Sequence, residues 1–314
     1  MRVFVLLGLV GLIACYDPRL GPGAPCSDLA PCPTGQACVT GTCGGVINTV
    51  VDAAPGIDGK VSAADLDLDG VADTSDNCPK NANTDQGNED GDNFGDVCDP
   101  CPIEASNTPS DPDADGVADG CDPHPNLPGD KIVFFEGFHK ALQATWQVVG
   151  NATVAGDFVS LPTVAGNYTA LVPPIPSMAN GTISAGLIVD QNVDVVDGAE
   201  TTIAMPYSPA DTEGVFCELV APPPSSGVAR YVSLWDSPQD RERGSRSFVW
   251  STATQYRVAL SRTGNNYACA VTPSGGQAQT ASGQTGSTTM ESKVAMWVYG
   301  ANARAAFLLV VSSP

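Results

Sequence analysis

The sequence predicts a mainly β protein, with a C-terminal β-sandwich preceded by an irregular, disulfide-stapled segment. Three observations carry this. From residue 131 to the end, the chain is a series of short Val-, Thr-, Tyr- and Phe-rich runs separated by Gly, Pro, Asn and Ser, and no helical heptad competes with them. Residues 52–130 hold 20 acidic side chains against 2 basic ones. Ten of the 11 cysteines fall into even clusters, as disulfides in an oxidising compartment do.

The 314-residue length suggests two domains, or one large domain with appendages. The formal net charge is −21, and nearly all of it sits in the 52–130 segment, because residues 1–51 balance and residues 131–314 carry 13 acidic groups against 10 basic. Such a surface repels phosphate backbones and anionic lipid, which are bound through Lys and Arg. Nucleic-acid binding is excluded.

Residues 1–14 read as an export signal: one Arg, then an apolar run too short to span a bilayer. Leu12-Ile13-Ala14-Cys15 resembles a bacterial lipobox, which implies cleavage before Cys15 and acylation of its thiol. An ordinary signal peptide cut elsewhere is the alternative. Several acyl chains anchor durably where one is reversible. Tyr16 stands where an inner-membrane retention signal would carry Asp, so the expected location is the outer membrane, by a lipid anchor.

Residues 15–45 follow as the anchor and a small knob. Its Cys26, Cys32, Cys38 and Cys43 lack the C-x2-C knuckles of zinc sites and have no His nearby. So small a segment needs covalent staples. "APCSDLAPCPTGQACVTGTCGG" is similar to two-disulfide EGF-like knobs. Residues 46–64, rich in Ala, Val, Gly and Pro and without periodicity, form a linker.

The acidic segment has internal order. With Asp65 as position 1, Asp67, Asp69, Asp73 and Asp76 fall at 3, 5, 9 and 12, with Gly70 at 6 and Val71 at 7. That is the oxygen-ligand spacing of an EF-hand loop. Alternate side chains of a tightly wound loop point inward, glycine permits the turn, and the position-7 carbonyl completes the shell. Asn88, Asp90, Asp92, Asp96 and Asp99 repeat the spacing, with Asn93 at 6, where Asn tolerates the left-handed conformation, and Phe94 at 7. Asp111, Asp113, Asp115, Asp119 and Asp122 repeat it again, with Gly116 and Val117. A merely solvated acidic spacer would not need Gly or Asn at position 6 three times. Flanking prolines and the lack of amphipathic helices argue against EF-hands proper. The many carboxylates suit calcium better than magnesium, and at least three calcium ions are expected.

"DLDLDGVADTSDNCPKNANTDQGNEDGDNFGDVCD", residues 65–99, resembles the thrombospondin type 3 repeat, including Asn77-Cys78-Pro79, Asn83, Gln86 and Asp96-Val97-Cys98-Asp99. Residues 101–122 form a further, shortened copy. The resemblance implies a chain of little secondary structure wrapped around calcium ions over 65–130, with Cys78 joined to Cys98 and Cys101 to Cys121. It also implies an acidic segment that loses its order without calcium.

Residues 131–314 form the sandwich. Strands are expected at 131–138, 182–189, 201–205, 215–220, 229–235, 255–260, 266–271, 293–299 and 305–311. In "YRVALS", Tyr256, Val258 and Leu260 share one face. Cys217 and Cys269, each inside a strand, are expected to pair within or between sheets. The opening "FFEGF", Trp146 and the closing "VAMWVYGANARAAFLLVV" resemble the concanavalin or laminin G type of jelly roll; an immunoglobulin-like pair of sheets is the alternative.

No catalytic constellation stands out, and no enzyme activity is expected. The E-x-D-x-x-E strand of jelly-roll glycosidases is absent, and Glu213 and Glu218 are an odd interval apart, on opposite strand faces. Asp190, Asp194 and Asp197 read as loop residues. His124 and His139 read as surface residues, and no G-x-S-x-G occurs. Of the four tryptophans, most are expected in the core, although aromatic faces also stack on sugars. "RERGSR", 241–246, reads as a solvated hairpin tip. The sequence therefore points to an exported lipoprotein with a calcium-stiffened stalk, whose head binds a glycan or a surface protein in adhesion. The alternatives are a divergent polysaccharide hydrolase and a ligand-free envelope protein.

Overall fold

The computed structural model describes residues 64–286 and 293–314, together with strands β1 (Ala24–Pro25), β2 (Cys38–Val39) and β3 (Thr42–Cys43). The export signal, Cys15, Cys26, Cys32, the side chains of Cys38 and Cys43, and the linker up to residue 63 lie outside the described residues. Among the described residues, no helix is long and apolar enough to cross a membrane. The chain divides into two compact units, Met1–Leu66 with Ala72–Thr74, and Asp67–Val71 with Ser75–Pro314. In the first unit, β1, β3 and β2 form a small antiparallel sheet in that order.

The second unit contains two antiparallel sheets. One has seven strands in the order β13-β12-β11-β10-β17-β8-β5. These are β13 (Arg241–Ser247), β12 (Tyr231–Asp236), β11 (Glu213–Ala221), β10 (Ala199–Ser208), β17 (Lys293–Tyr299), β8 (Tyr168–Val172) and β5 (Gln147–Val149). The eight-stranded sheet runs β16-β15-β14-β9-β18-β7-β6, with β4 also paired to β18. Its members are β16 (Gln279–Gln284), β15 (Asn266–Pro273), β14 (Gln255–Thr263), β9 (Gly181–Asn192), β18 (Ala301–Ser312), β7 (Val159–Leu161), β6 (Thr153–Val154) and β4 (Lys131–Glu136). The chain passes back and forth between the sheets along its length, as in a jelly-roll sandwich and unlike a simple stack of hairpins.

Alternation places the core. Ile183, Ala185, Leu187 and Val189 of β9 face Val215, Cys217, Leu219 and Ala221 of β11 within one buried cluster. Tyr256, Val258 and Leu260 share the inner face of β14. The Cys217–Cys269 disulfide joins β11 of one sheet to β15 of the other. All nine expected strands are present. Those not foreseen in the sandwich are short or polar: β5, β6, β7, β8, β13 and β16.

"RERGSR" is no hairpin tip. It is edge strand β13, paired to β12, and Arg243 donates from Nε to the fully buried Asp236 (2.9 Å). A glycine is needed here because β13 passes close to β16. A Cβ on Gly244 would lie 2.6 Å from the Ser282 carbonyl oxygen, and one on Gly283 2.6 Å from that of Arg243.

The outer face of the eight-stranded sheet is covered. Phe307, Leu309 and Val311 of β18 pack against Val117, Ala118 and the Cys101–Cys121 disulfide of the acidic segment. Arg257 of β14 donates from Nη1 and Nη2 to the Gly120 carbonyl (3.1 and 3.2 Å). The third acidic loop therefore lies on the sandwich and does not stand clear of it as a free stalk. Asp190 is likewise no loop residue; it sits in β9 and forms an ion pair with Arg304 of β18 (2.8 Å).

Two tryptophans are core. Trp146 stacks edge-on to Phe134, while Trp250 is 2% exposed and donates to the Val220 carbonyl (3.2 Å) beneath Arg230. Trp235 and Trp297 are half-buried on the outer face of the seven-stranded sheet. Urea unfolding should therefore separate the two kinds: Trp250→Ala should lose about 3–5 kcal/mol, and Trp235→Ala about 1 kcal/mol or less.

Candidate functional site

The three acidic loops begin at residues 65, 88 and 111, and their backbone repeats with them. The amide of position 9 donates to the carbonyl of the residue before position 1 in each: Asp73 to Ala64 (2.7 Å), Asp96 to Gly87 (3.0 Å) and Asp119 to Ser110 (2.8 Å). Asp at position 5 accepts from position 7 at Oδ1, from Val71 (2.8 Å), Phe94 (2.6 Å) and Val117 (3.0 Å). Its Oδ2 accepts from an amide 14 residues on: Asn83 (2.8 Å), Ser106 (2.9 Å) and Gly129 (2.9 Å). Asp at position 12 accepts at Oδ1 from the amide two residues later: Cys78 (2.8 Å), Cys101 (2.7 Å) and His124 (2.6 Å). These Asx-type bonds fix an irregular backbone without helix or strand. The disulfides Cys78–Cys98 and Cys101–Cys121, each spanning 20 residues, close it as the resemblance implies.

The left-handed turns do not fall where the sequence suggested in every loop. Gly70 and Gly116 adopt φ of 97° and 98° at position 6, but Asn93 is not left-handed. Position 4 is left-handed in all three loops, at Leu68 (64°), Gly91 (77°) and Ala114 (62°). In the second loop position 4 alone of these two is left-handed, so Asn93 does not adopt the conformation that Asn was expected to supply.

In the first loop, Asp65 and Asp73 belong to the first unit and Asp67, Asp69, Val71 and Asp76 to the second. In the other loops, side-chain oxygens converge. Asp90, Asp92 and Asp99 bring ligand atoms within 4.8 Å of one another, as do Asp111, Asp113 and Asp115. Two unit charges about 5 Å apart repel by about 3 kcal/mol at an effective dielectric of about 20. Buried Oδ2 atoms of Asp76, Asp90 and Asp122 have no hydrogen-bond partner.

Burial pushes the Asp99 carboxyl up to about 6, against the Cys101 amide, with Asp90, Asp92 and Asp96 adding to it. Burial likewise takes Asp122 to about 6. Oxygen-only groups of this kind fit calcium, which takes six to eight oxygens in irregular shells, and do not fit zinc. Bound there, a divalent cation would turn the mutual repulsion of these carboxylates into attraction.

Not every spaced residue joins a group. Asn88 turns its Oδ1 to the Gly91 amide (2.7 Å) and its Nδ2 to the Asp92 carbonyl (2.8 Å). Asp96 turns Oδ2 to His139 Nε2 (3.1 Å), and Asp119 is exposed. The histidines are not plain surface residues. His139 also meets Asp157 (3.3 Å), and His124 Nδ1 meets the buried Asp130 (2.9 Å). Asp194 accepts from the backbone amides of Val196, Asp197 and Gly166 and, among the described residues, joins no group of converging carboxylates.

The outer face of the seven-stranded sheet carries a second constellation. Trp297 lies between Tyr168 (centroids 5.7 Å, planes 24°) and Tyr299 (6.0 Å, 8°), with Phe216 beside it. Thr202, opposite Trp297 in the register, is fully buried, and neither its Oγ1 nor Trp297 Nε1 has a hydrogen-bond partner. Glu218, opposite Thr202 on β11, is buried, and Glu200 lies two residues away along β10. Burial, reinforced by the Glu200 charge, holds the Glu218 carboxyl well above its usual range. Glu213 shares the strand but not the face. The sequence reading missed Glu200 because it comes diagonally beside Glu218 across paired strands and not along one.

No curated protein matches the sequence. Among solved structures, the chain is similar to the winged bean acidic lectin complexed with methyl-α-D-galactose (9% identity, 59% of this chain and 99% of that one, TM-score 0.47). It is similar also to peanut lectin with a 9mer peptide (12%, 59% and 98%, 0.44). A third is the CBM2 module of the Lactobacillus casei BL23 phage J-1 evolved Dit (12%, 59% and 96%, 0.45). Residues 59–86 match the family model of the thrombospondin type 3 repeat, so the first of the three acidic loops lies within the family's own motif.

Proposed function

We propose that this chain is an exported calcium-binding lipoprotein whose acidic repeats are ordered by the ion and whose sandwich binds carbohydrate on the outer face of the seven-stranded sheet. Thrombospondin type 3 repeats bind calcium, and the grouped carboxylates of the second and third loops suit that ion. Lipidation at Cys15 would tether the chain to the outer membrane, and adhesion would be the use of the head.

The binding half rests on one observation, the Tyr168-Trp297-Tyr299 strip. Flat aromatic faces stack on sugar rings, and all three of these rings are only partly buried on that face. A second reading, a polysaccharide hydrolase, is favoured by the Glu200 and Glu218 pair. Burial raises both carboxyls, Glu218 well above its usual range, and a protonated carboxyl with a second one on the same face is the acid component of glycoside cleavage.

Three measurements test the proposal. On a glycan array, the intact protein should bind, and Trp297→Ala should weaken binding by about tenfold, the scale of one lost ring contact. Release of product that Glu218→Gln abolishes would transfer the case to the hydrolase. Under limited proteolysis with circular dichroism, residues 65–122 should be cut readily in chelator and resist once calcium is restored.

The third is pH. The raised carboxyls of Asp99 and Asp122 bind protons more tightly folded than unfolded, so the metal-free protein loses stability as pH rises from about 4 through about 6. Calcium requires the ionised form. Its stabilising effect should therefore grow from pH 5 to 7.5, and its apparent affinity should fall steeply below about 6, as calorimetry at stepped pH would read.

A further inference from the structure

We propose a junction calcium site, formed by Asp115, Asp122 and Asp130, that clasps the end of the acidic repeats to the first strand of the sandwich. It rests on the calcium reading above and adds a ligand that belongs to none of the three loops. Asp115 is position 5 of the third loop and Asp122 its position 12, but Asp130 comes eight residues later, immediately before β4.

One oxygen from each of the three lies within 4.8 Å of the others. Asp130 is fully buried and Asp122 is 9% exposed. The hydrogen bonds leave one inward oxygen on each of these two. Asp122 Oδ1 accepts from the His124 amide (2.6 Å), and its Oδ2 has no partner. Asp130 Oδ2 meets His124 Nδ1 (2.9 Å), and its Oδ1 has no partner.

Asp115 is held in place by the amides of Val117, Gly129 (2.9 Å) and Asp130 (2.7 Å). Carboxylates offer one another no donor, so two buried oxygens facing each other need a proton or a cation between them. His124 already points at the other oxygen of Asp130, where it orients the carboxylate as an outer partner does in metal sites.

The donor set is oxygen only, which disfavours zinc, and it is buried, which disfavours magnesium with its retained waters. Asp115 also belongs to the group with Asp111 and Asp113, so the junction ion would share a carboxylate with its neighbour. The repeat period makes the position distinctive. Residues 84, 107 and 130 are equivalent, and they are Thr84, Asn107 and Asp130. Asn107 accepts from the Asn93 amide (2.8 Å), whereas Asp130 turns toward Asp115 and Asp122. A charged ligand thus appears only where the repeats meet the sandwich. Its backbone continues directly into β4, which pairs with β18, so occupancy would bind the third loop to the sheet.

The test uses the intact, oxidised chain with calcium alone. Bound calcium is counted by equilibrium dialysis and calorimetry for the natural sequence and for Asp130→Asn, and amide exchange is followed over residues 122–133. The variant should bind one ion fewer, with the remaining ions titrating as before. Calcium should slow exchange over 122–133 at least about tenfold in the natural chain and little in the variant.

Equal ion counts in both proteins would overturn the junction site and leave the calcium reading intact, assigning the facing oxygens to a shared proton. No uptake by the natural chain would remove both. Should Asp130→Asn fail to fold, the natural chain decides alone, because exchange over 122–133 that ignores calcium would sink the site.

Discussion

The constraint on which the acidic segment depends is that like charges are held closer together than they would choose to lie. Backbone amides at fixed intervals take one oxygen of each position-12 aspartate and both of each position-5 aspartate. That pattern leaves other carboxylate oxygens directed at one another. A hydrophobic core is insensitive to ions, but this arrangement needs a counter-charge or a bound proton to relieve its repulsion. The repeated 20-residue disulfides restrict how far the loops can open when that charge is absent.

The sandwich needs no such help, because its two inner faces meet in one buried aliphatic cluster, cross-linked by Cys217–Cys269. Its two outer faces divide the labour. The face built on β18 is apolar at Phe307, Leu309 and Val311, and the third repeat with its disulfide covers it. The face built on β10, β11 and β17 instead mixes rings with carboxyls. The third repeat and the proposed carbohydrate face therefore lie on opposite sheets, so binding at one need not displace the other.

What the sequence made legible was whatever recurs at short range. Period-2 runs such as Tyr256-Val258-Leu260 gave strands, and the spacing of Asp, Gly and Cys gave loops and staples. Polar edge strands were hidden: β13 reads as a turn because Arg241, Glu242 and Arg243 carry no alternation, although Arg243 is fixed by the buried Asp236. Contacts between distant residues were hidden as well. Glu200 comes near Glu218 only because β10 pairs with β11, Asp130 meets Asp115 only through a turn, and Trp297 lies on an outer sheet face while Trp250 enters the core from a loop. Position 6 was misjudged at Asn93: Asn tolerates the left-handed conformation but, unlike Gly70 and Gly116, does not adopt it.

The end of the repeats explains why the third copy departs from the first two. In the equivalent position, Cys78 and Cys101 each open a disulfide that closes the following stretch, and the third copy has His124 there. No further repeat follows for a cystine to close. The chain must instead turn onto β4, and it does so through Asp115, which accepts from the Gly129 and Asp130 amides, and through His124, which meets Asp130. A polar closure replaces a covalent one where the neighbour is a sheet. Covalent staples suit a chain that stacks on copies of itself, whereas a joint to a different fold can be made by buried charge, and buried charge can respond to ions.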